Sequence, residues 1–501
     1  MTAVECFVAE LRRRGVEWMA TLCGHGLDPL FHAATRAGFR LVDTRNEQTA
    51  AYAAEAYGRL TRRPGVCAVS SGIAHVNALT GLADAWFDGA PMLLISGSAA
   101  VRTAGLGHFQ DMDQVALARP VSRFARVIDH PARTLEILDE AWQAALDGPA
   151  HVTFPMDVQR AEVGSEEMVR PVGARPLAAL ADSDWRSVLA AAERPLLVVG
   201  SAAYYAGAGQ KLVDFAERYS IPLVIPIWDR GCVERPTPVF MGVLGAASGG
   251  PQLLQDADCI LMAGAVNDYR TGYLQTNTPV GWIGRFDELE APRNYMGWLS
   301  EAQRRRDSFR AEVRRRGEEQ AQQGTHALHV IDAIAARMSD ELILLLDGGS
   351  IGQWAHQLLA DRYPGHWLTC GRSGVVGWGL GGAIGARMAY ADRPIVLLSG
   401  DGAFTFNVAE IECAVRQRLP FVAIVADDLG WGITRTGHVR QYGEAIASSL
   451  GPIAFDHLAQ ALGARGVAAA TPEAVGQELD NALSLPEVTV IHVPVVGGHP
   501  A

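Results

Sequence analysis

Two aspartates, Asp401 and Asp428, carry the clearest chemical signal in the chain, because each follows an apolar run and sits beside glycine. Ile395 to Leu398 leads into Gly400-Asp401-Gly402, and Phe421 to Ala426 stops at Asp427-Asp428-Leu429-Gly430. Short apolar runs bounded by turn residues read as buried strands, the first of them stopping at a tight turn. Between them a helical stretch from about Val408 to Arg418 is broken by Leu419-Pro420. The unit is β-α-β, and its right-handed crossover brings both strand ends to one edge of the sheet, where ligands bind. Two carboxylates converging there, with no His or Cys in the cluster, make a hard oxygen site suited to Mg²⁺ and, through it, to phosphate. Taken singly, either aspartate reads as a solvated loop residue at a strand end.

The elements that would position such a site recur along the chain. From the start to about Pro155, helical and strand patterns alternate, as a parallel sheet requires. Strands are expected at Phe39 to Val42, Val66 to Ser71 and Met92 to Ser96, with an Ala-rich helix from Glu47 to Leu60. A polar connector with Pro and Gly, about Arg160 to Asp184, marks a boundary. A second block opens with Arg194-Pro195-Leu196-Leu197-Val198-Val199-Gly200, continues through Ile221 to Ile225 and Cys259 to Ala263, and closes with a charged helix near Arg304. A third starts near His326 and runs from a strand at Leu342 to Leu346 to a last strand at Val488 to Val493. The expected fold class is α/β, with three doubly wound parallel-sheet domains at residues 1–160, 185–320 and 326–501.

The 501 residues suit about three domains of ordinary size, and 49% hydrophobic with 20% charged residues is an ordinary globular composition. A net charge of −12 argues against nucleic acid as a partner. The Arg-rich run from Arg304 to Arg316 is interleaved with acids and reads as an exposed helix. The seven cysteines are odd in number and scattered, without a C-x-x-C pair, and several lie in apolar runs, as reduced core cysteines do. The amino terminus has no signal-peptide core and no stretch reaches membrane-spanning length, so a cytoplasmic protein without a membrane partner is expected.

The Asp401 segment also resembles the thiamine diphosphate (ThDP) motif, which opens with Gly-Asp-Gly and closes on a metal-ligating Asn. The resemblance spans nearly the whole chain and is to the ThDP-dependent 2-oxoacid decarboxylase and acetohydroxyacid synthase superfamily. It implies that Asp401 and Asp428 are metal ligands with the Gly430 carbonyl, and that Gly402 and Ala403 face the diphosphate. The family usually has Asn-Asn where this chain has Asp427-Asp428, which adds negative charge beside an anionic cofactor. Arg45-Asn46-Glu47-Gln48 and the following AAYAAEAYGRLT resemble the pyrimidine domain, making Glu47 the catalytic acid; a carboxylate stabilised by a helix amino terminus is the alternative reading. The family often has Pro-Gly-Ala-Thr-Asn where this chain has Ile73-Ala74-His75-Val76-Asn77, so Asn77 is kept and His75 is unexplained by the resemblance. In Gly371-Arg372-Ser373-Gly374-Val375-Val376, Val376 falls at the apolar prop that bends the cofactor and Gly374 at a backbone acceptor for the pyrimidine; Ser350 joins the cofactor set on the same resemblance. Gly105 to Asp111 resembles the synthase and benzaldehyde lyase loop in which Gln110 lines the active site. His108 beside it is a candidate proton carrier, and Cys23 to Asp28, with His25 and Asp28, falls at the family's first substrate-facing loop; lone loop histidines also read as plain surface residues.

The resemblance implies an enzyme that uses ThDP and Mg²⁺ to decarboxylate a small 2-oxo acid, passing the acyl-anion equivalent to a proton or to a second carbonyl, as in acetolactate synthase-like carboligases. Cleavage without decarboxylation, of the benzaldehyde lyase or C–C hydrolase kind, is the alternative. A catalytically silent ThDP-fold subunit is a further one, disfavoured because Glu47, Asp401 and Gly402 are kept together. A nicotinamide oxidoreductase is disfavoured because Gly200-Ser201-Ala202 lacks the dinucleotide fingerprint. The short carboxyl-terminal stretch after Val493 points away from 2-hydroxyacyl-CoA lyases, and the short segment after Thr276 points away from FAD or ADP in the middle domain. Because the family's pyrimidine and diphosphate sites come from different subunits, a homo-oligomer, a dimer or dimer of dimers up to a homotetramer, is expected.

Overall fold

The computed structural model describes every residue except 165–178, 246–250, 276, 360–366, 499 and 501. The inter-block connector around Arg160 to Asp184 and the shortened segment at Thr276 therefore lie partly outside the described residues. Among the described residues there are three sheets, and every strand pairing within them is parallel. By packing, the chain forms two compact units. One comprises Met1–Ala178, Leu380–Ala391 and Asn407–Leu419; the other comprises Ala179–Gly379, Asp392–Phe406 and Pro420–Ala501.

The first unit is built on six strands: β1 Trp18–Leu22, β2 Arg40–Asp43, β3 Gly65–Val69, β4 Met92–Ser98, β5 Phe124–Val127 and β6 Pro149–Pro155. Their order is β2-β1-β3-β4-β6-β5, so the direction of winding reverses between β1 and β3. Helix Glu47–Thr61 is buried along most of its length, which its run of alanines permits. Helix Gly379–Ala389, which begins just outside the unit, packs against it through small residues: a Cβ at Gly381 would lie 2.6 Å from that of Tyr52. Helix Glu410–Gln417 also belongs to this unit.

The second unit holds two sheets. The five-stranded one contains β7 Pro195–Val199, β8 Leu223–Pro226, β9 Phe240–Leu244, β10 Cys259–Ala263 and β11 Val280–Trp282, in the order β11-β10-β7-β8-β9. The six-stranded one contains β12 Ile343–Leu346, β13 Leu368–Thr369, β14 Ile395–Gly400, β15 Val422–Asp427, β16 Arg465–Ala468 and β17 Thr489–Pro494, in the order β13-β12-β14-β15-β17-β16. All of β14 and β15 is buried, which is why they read as continuous apolar runs without alternation. Each fully buried Ile, Leu or Val side chain contributes about 1.5–3 kcal/mol. One hydrophobic cluster runs from Trp185 through Ile260 and Trp354 to Ile491. The charged helix is Met296–Ala321, with Trp298, Leu299, Ala302 and Val313 turned inward and its arginines paired to acids such as Glu301, Glu312 and Asp332. Among the described residues no helix is long and apolar enough to cross a membrane.

Candidate functional site

In the six-stranded sheet the winding reverses between β12 and β14, and ligands of open parallel sheets bind at such a point. Asp347 to Gly349 follow β12 there, and Asp401 follows β14. The register Gly400↔Ala426 sets the ends of β14 and β15 level, so Asp401 and Asp428 emerge side by side. Gly400-Asp401-Gly402 is not the tight turn expected: Asp401 opens a short helix, Asp401–Thr405, where the amide dipoles favour an acid. A small cavity of about 20 Å³, the size of one water or ion, is lined by Asp401, Asp428, Ser350 and Gly430. The Gly430 N–H donates to Asp401 Oδ2 at 3.0 Å. Asp428 Oδ1 and Ser350 Oγ are buried with no hydrogen-bond partner. A Cβ at Gly432 would collide with both Asp428 Oδ2 and Ser350 Oγ, so only glycine leaves this corner open. Burial, and then the charge of Asp428, pushes the Asp401 carboxyl up to about 7.

The two extra acids noted in the sequence are offset locally. Asp427 Oδ2 meets His492 Nε2 at 2.9 Å, and against the upward push of burial the bonds it accepts hold it below the usual carboxylate range. Arg435 stands 3.5 Å from Asp428 Oδ1 and donates to the Asp428 carbonyl at 2.8 Å.

A larger cavity of about 340 Å³ in the same unit is lined by Asp401, Gly402, Ala403, Gly374 and Val376. Val376 is placed by Asp347, whose carboxylate accepts the N–H groups of Gly377 at 3.1 Å and Gly379 at 2.8 Å and so ties the following turn to the end of β12. Asp347 was not singled out from sequence; an Asp at the end of an apolar strand, Ile343 to Leu346, was the signal for it.

In the first unit a second set of residues gathers where β1 and β3 end. Ser70 Oγ and the Ser71 N–H donate to the His25 carbonyl at 2.7 and 3.2 Å. The His25 ring stacks on His108 at 6.0 Å and meets Phe109 edge-on at 5.7 Å. Gln110, at φ +57°, accepts from Ser71 Oγ at 2.8 Å. Asp28 is exposed and opens helix Asp28–Arg36. Glu47 is the first residue of its helix, capped by Asn46, and accepts from Asn77 Nδ2 at 3.0 Å.

Comparison with known proteins bears on both sets of residues. Residues 1–117 match the model described as "Thiamine pyrophosphate enzyme, N-terminal TPP binding domain", 184–282 the central domain and 347–493 the C-terminal TPP binding domain of the same family. The chain belongs to the thiamine pyrophosphate enzyme family. It is 28% identical to a "Probable acetolactate synthase" of Mycobacterium bovis, over 98% of this chain and 95% of that one. It is 27% identical to the "Acetolactate synthase isozyme 2 large subunit" of Escherichia coli, over 99% and 96%. It is 28% identical to the human "2-hydroxyacyl-CoA lyase 2", over 92% and 84%.

The residues present suit the family's cofactor. Two carboxylates and a buried hydroxyl around an ion-sized cavity are a donor set for Mg²⁺, which takes one or two carboxylates and completes its shell with phosphate and water. No cluster of three or more His, Cys, Asp or Glu suited to a metal occurs among the described residues, so the ligand's own oxygens would have to supply the rest.

Two further residues of the thiamine pyrophosphate fold were not singled out from sequence. Glu410 is buried and accepts the Arg45 N–H at 3.0 Å on each oxygen, holding the backbone just ahead of Glu47. Gln114 is buried, accepts the Gly72 N–H at 2.7 Å and donates to the Gly97 carbonyl at 3.0 Å. Gly72 has φ +58°, and Gln110 occupies the place its Cβ would take, so Gln114 fixes the turn on which Gln110 rests. His75 lies beneath, its Nδ1 2.8 Å from Ser96 Oγ and its ring 4.6 Å from that of His151. Burial pushes the His75 imidazole down to about 4, so it stays neutral as part of the packing.

Proposed function

We propose that the protein is a ThDP- and Mg²⁺-dependent enzyme that decarboxylates a small 2-oxo acid and passes the acyl-anion equivalent to a carbonyl acceptor, as an acetolactate synthase-like carboligase does. The observation that carries this is the ion-sized cavity bounded by Asp401, Asp428, Ser350 and Gly430 at the point where winding reverses. In this reading Asp401, Asp428 and the Gly430 carbonyl hold the metal, and the first turn of helix Asp401–Thr405, at Gly402 and Ala403, receives the diphosphate. Ser350 would complete the polar wall, Val376 would be the apolar side chain against which the cofactor rests, and the Gly374 backbone would accept from the pyrimidine. Glu47 holds a proton against the pyrimidine ring, with Asn77 fixing its carboxylate. When bound, the cofactor supplies the electron sink that decarboxylation needs; the protein supplies orientation and charge. Gln110 and His25 line the side of the site that meets the carbonyl substrate, and His108 moves protons to and from it.

A second reading, cleavage of a carbon–carbon bond without decarboxylation, is favoured by the lyase name of the human relative. The middle domain is proposed to hold neither FAD nor ADP. Where its sheet reverses winding, between β7 and β10, the Asp229 carboxylate accepts the Ser201 N–H at 3.1 Å, the place a phosphate would take. Domains at 1–160, 185–320 and 326–501, a homo-oligomeric state and a cytoplasmic location complete the proposal. The test is a panel of 2-oxo acids from pyruvate upward, assayed for CO₂ release and for carboligation products. CO₂ with condensed product supports the synthase reading, and aldehyde release from a 2-hydroxy ketone without CO₂ supports the lyase reading.

A further inference from the structure

The cavity that Asp401, Gly402 and Val376 line is also lined by side chains with no place in the cofactor reading. Helix Ser350–Leu358 turns Gly352, Gln353 and His356 into it, positions that share one helical face. Gln353 is 5% exposed and His356 3% exposed, and neither Gln353 Oε1 nor His356 Nδ1 has a hydrogen-bond partner. Buried polar atoms are rarely left so, and two orphans on one wall of one cavity mark a place where a ligand completes them. The His356 ring is held by a stack on Trp367, centroids 5.8 Å apart and planes 12° off parallel.

Trp228 lines the same cavity from the loop after β8. Its φ of +70° is a strained conformation for a bulky side chain, of the kind that persists where the surroundings impose it. They do so here. Arg270 Nη1 donates to the Ile227 carbonyl at 2.8 Å and pairs with Asp229 at 2.6 Å; the Arg230 N–H donates to Ser201 Oγ at 2.8 Å; and Thr369 Oγ1 donates to the Trp228 carbonyl at 3.3 Å. Among the described residues no Lys or Arg lines the cavity, while Asp401 does. Burial pushes the His356 imidazole down to about 4, leaving it neutral. An anionic side chain would find no counter-charge there, whereas an aromatic ring with a neutral polar tip would find a flat indole and two unpaired hydrogen-bonding atoms.

We propose that Gln353, His356 and Trp228 form a subsite for the side chain of the carbonyl substrate, and that it selects an aromatic group bearing an uncharged hydroxyl or carbonyl. The assignment to substrate rests on the reading of this cavity as the cofactor site; the selectivity rests on the side chains alone.

The test uses titration calorimetry with four 2-oxo acids, 4-hydroxyphenylpyruvate, phenylpyruvate, pyruvate and 2-oxoglutarate, on the full chain without cofactor and again with ThDP and Mg²⁺. In the wild-type protein 4-hydroxyphenylpyruvate should bind at least about tenfold tighter than phenylpyruvate, the worth of one good hydrogen bond, with 2-oxoglutarate weakest. Gln353→Leu and His356→Phe, the latter keeping the stack on Trp367, should bring the two aromatic acids to equal affinity. Trp228→Ala should weaken both aromatic acids alike and leave pyruvate unchanged. Tight 2-oxoglutarate binding, or the same ranking in the wild type and all three variants, would overturn the subsite. Discrimination among the acids by a protein that binds no ThDP would overturn the cofactor reading and leave the selectivity standing.

Discussion

Among single residues, Glu47 and Asp401 differ in how the sequence announced them. Asp401 was readable from physics only in company with Asp428: singly it reads as a solvated loop residue, and the convergence of two acids at the ends of neighbouring buried runs is what points to a metal and phosphate site. Glu47 was readable only through the resemblance: in isolation it is an acid at a helix amino terminus, and the structure places it there too, joined to Asn77. Activity decides between the two roles. Glu47→Gln should leave ThDP bound while slowing hydrogen–deuterium exchange at C2 of the bound cofactor by orders of magnitude, a loss confined to the chemical step. If Glu47 serves only as a helix-end charge, its replacement costs up to about 1 kcal/mol of stability and leaves exchange unchanged.

At the scale of elements, the strands were legible because β14 and β15 are buried throughout and their apolar runs end on glycine and acid. What lay hidden were side chains whose partners are distant in sequence. Glu410 sits on a helix whose pattern gives no hint that its carboxylate supports the backbone of Arg45. Asp347 and Gln114 escaped notice for the same reason, since their bonds go to turns elsewhere in the chain. Burial pushes the Glu410 carboxyl up to about 7. A carboxyl raised on folding is favoured in its protonated form, so the stability it confers is complete below its unfolded value and is lost as pH rises through about 7. The loss is about 3 kcal/mol at most. Glu410→Gln, which keeps an acceptor for the Arg45 N–H, should therefore shrink the difference in denaturant midpoint between pH 5 and pH 8. An unchanged difference would mean that Glu410 is ionised in the folded protein across that range.

For the whole molecule, the three parallel sheets were legible from alternating patterns, whereas the grouping of helix Glu410–Gln417 with the first unit was not, because packing partners leave no mark on local composition. Light scattering at assay concentration should give a dimer or larger; a fully active monomer would contradict the proposed assembly. Denatured protein should release no FAD or ADP if, as proposed, the Asp229 carboxylate on the Ser201 N–H takes the place of a nucleotide phosphate. The claim on which the rest depends is that this chain binds ThDP through a divalent metal at Asp401 and Asp428. Titration calorimetry of ThDP into the intact protein, with and without Mg²⁺, tests it directly. Binding should require Mg²⁺, strengthen as pH rises toward about 7 because the metal must displace the proton from Asp401, be abolished in Asp401→Ala, and be retained or strengthened in Asp428→Asn. Equal ThDP affinity in the wild type and Asp401→Ala, or binding indifferent to Mg²⁺, would contradict the account.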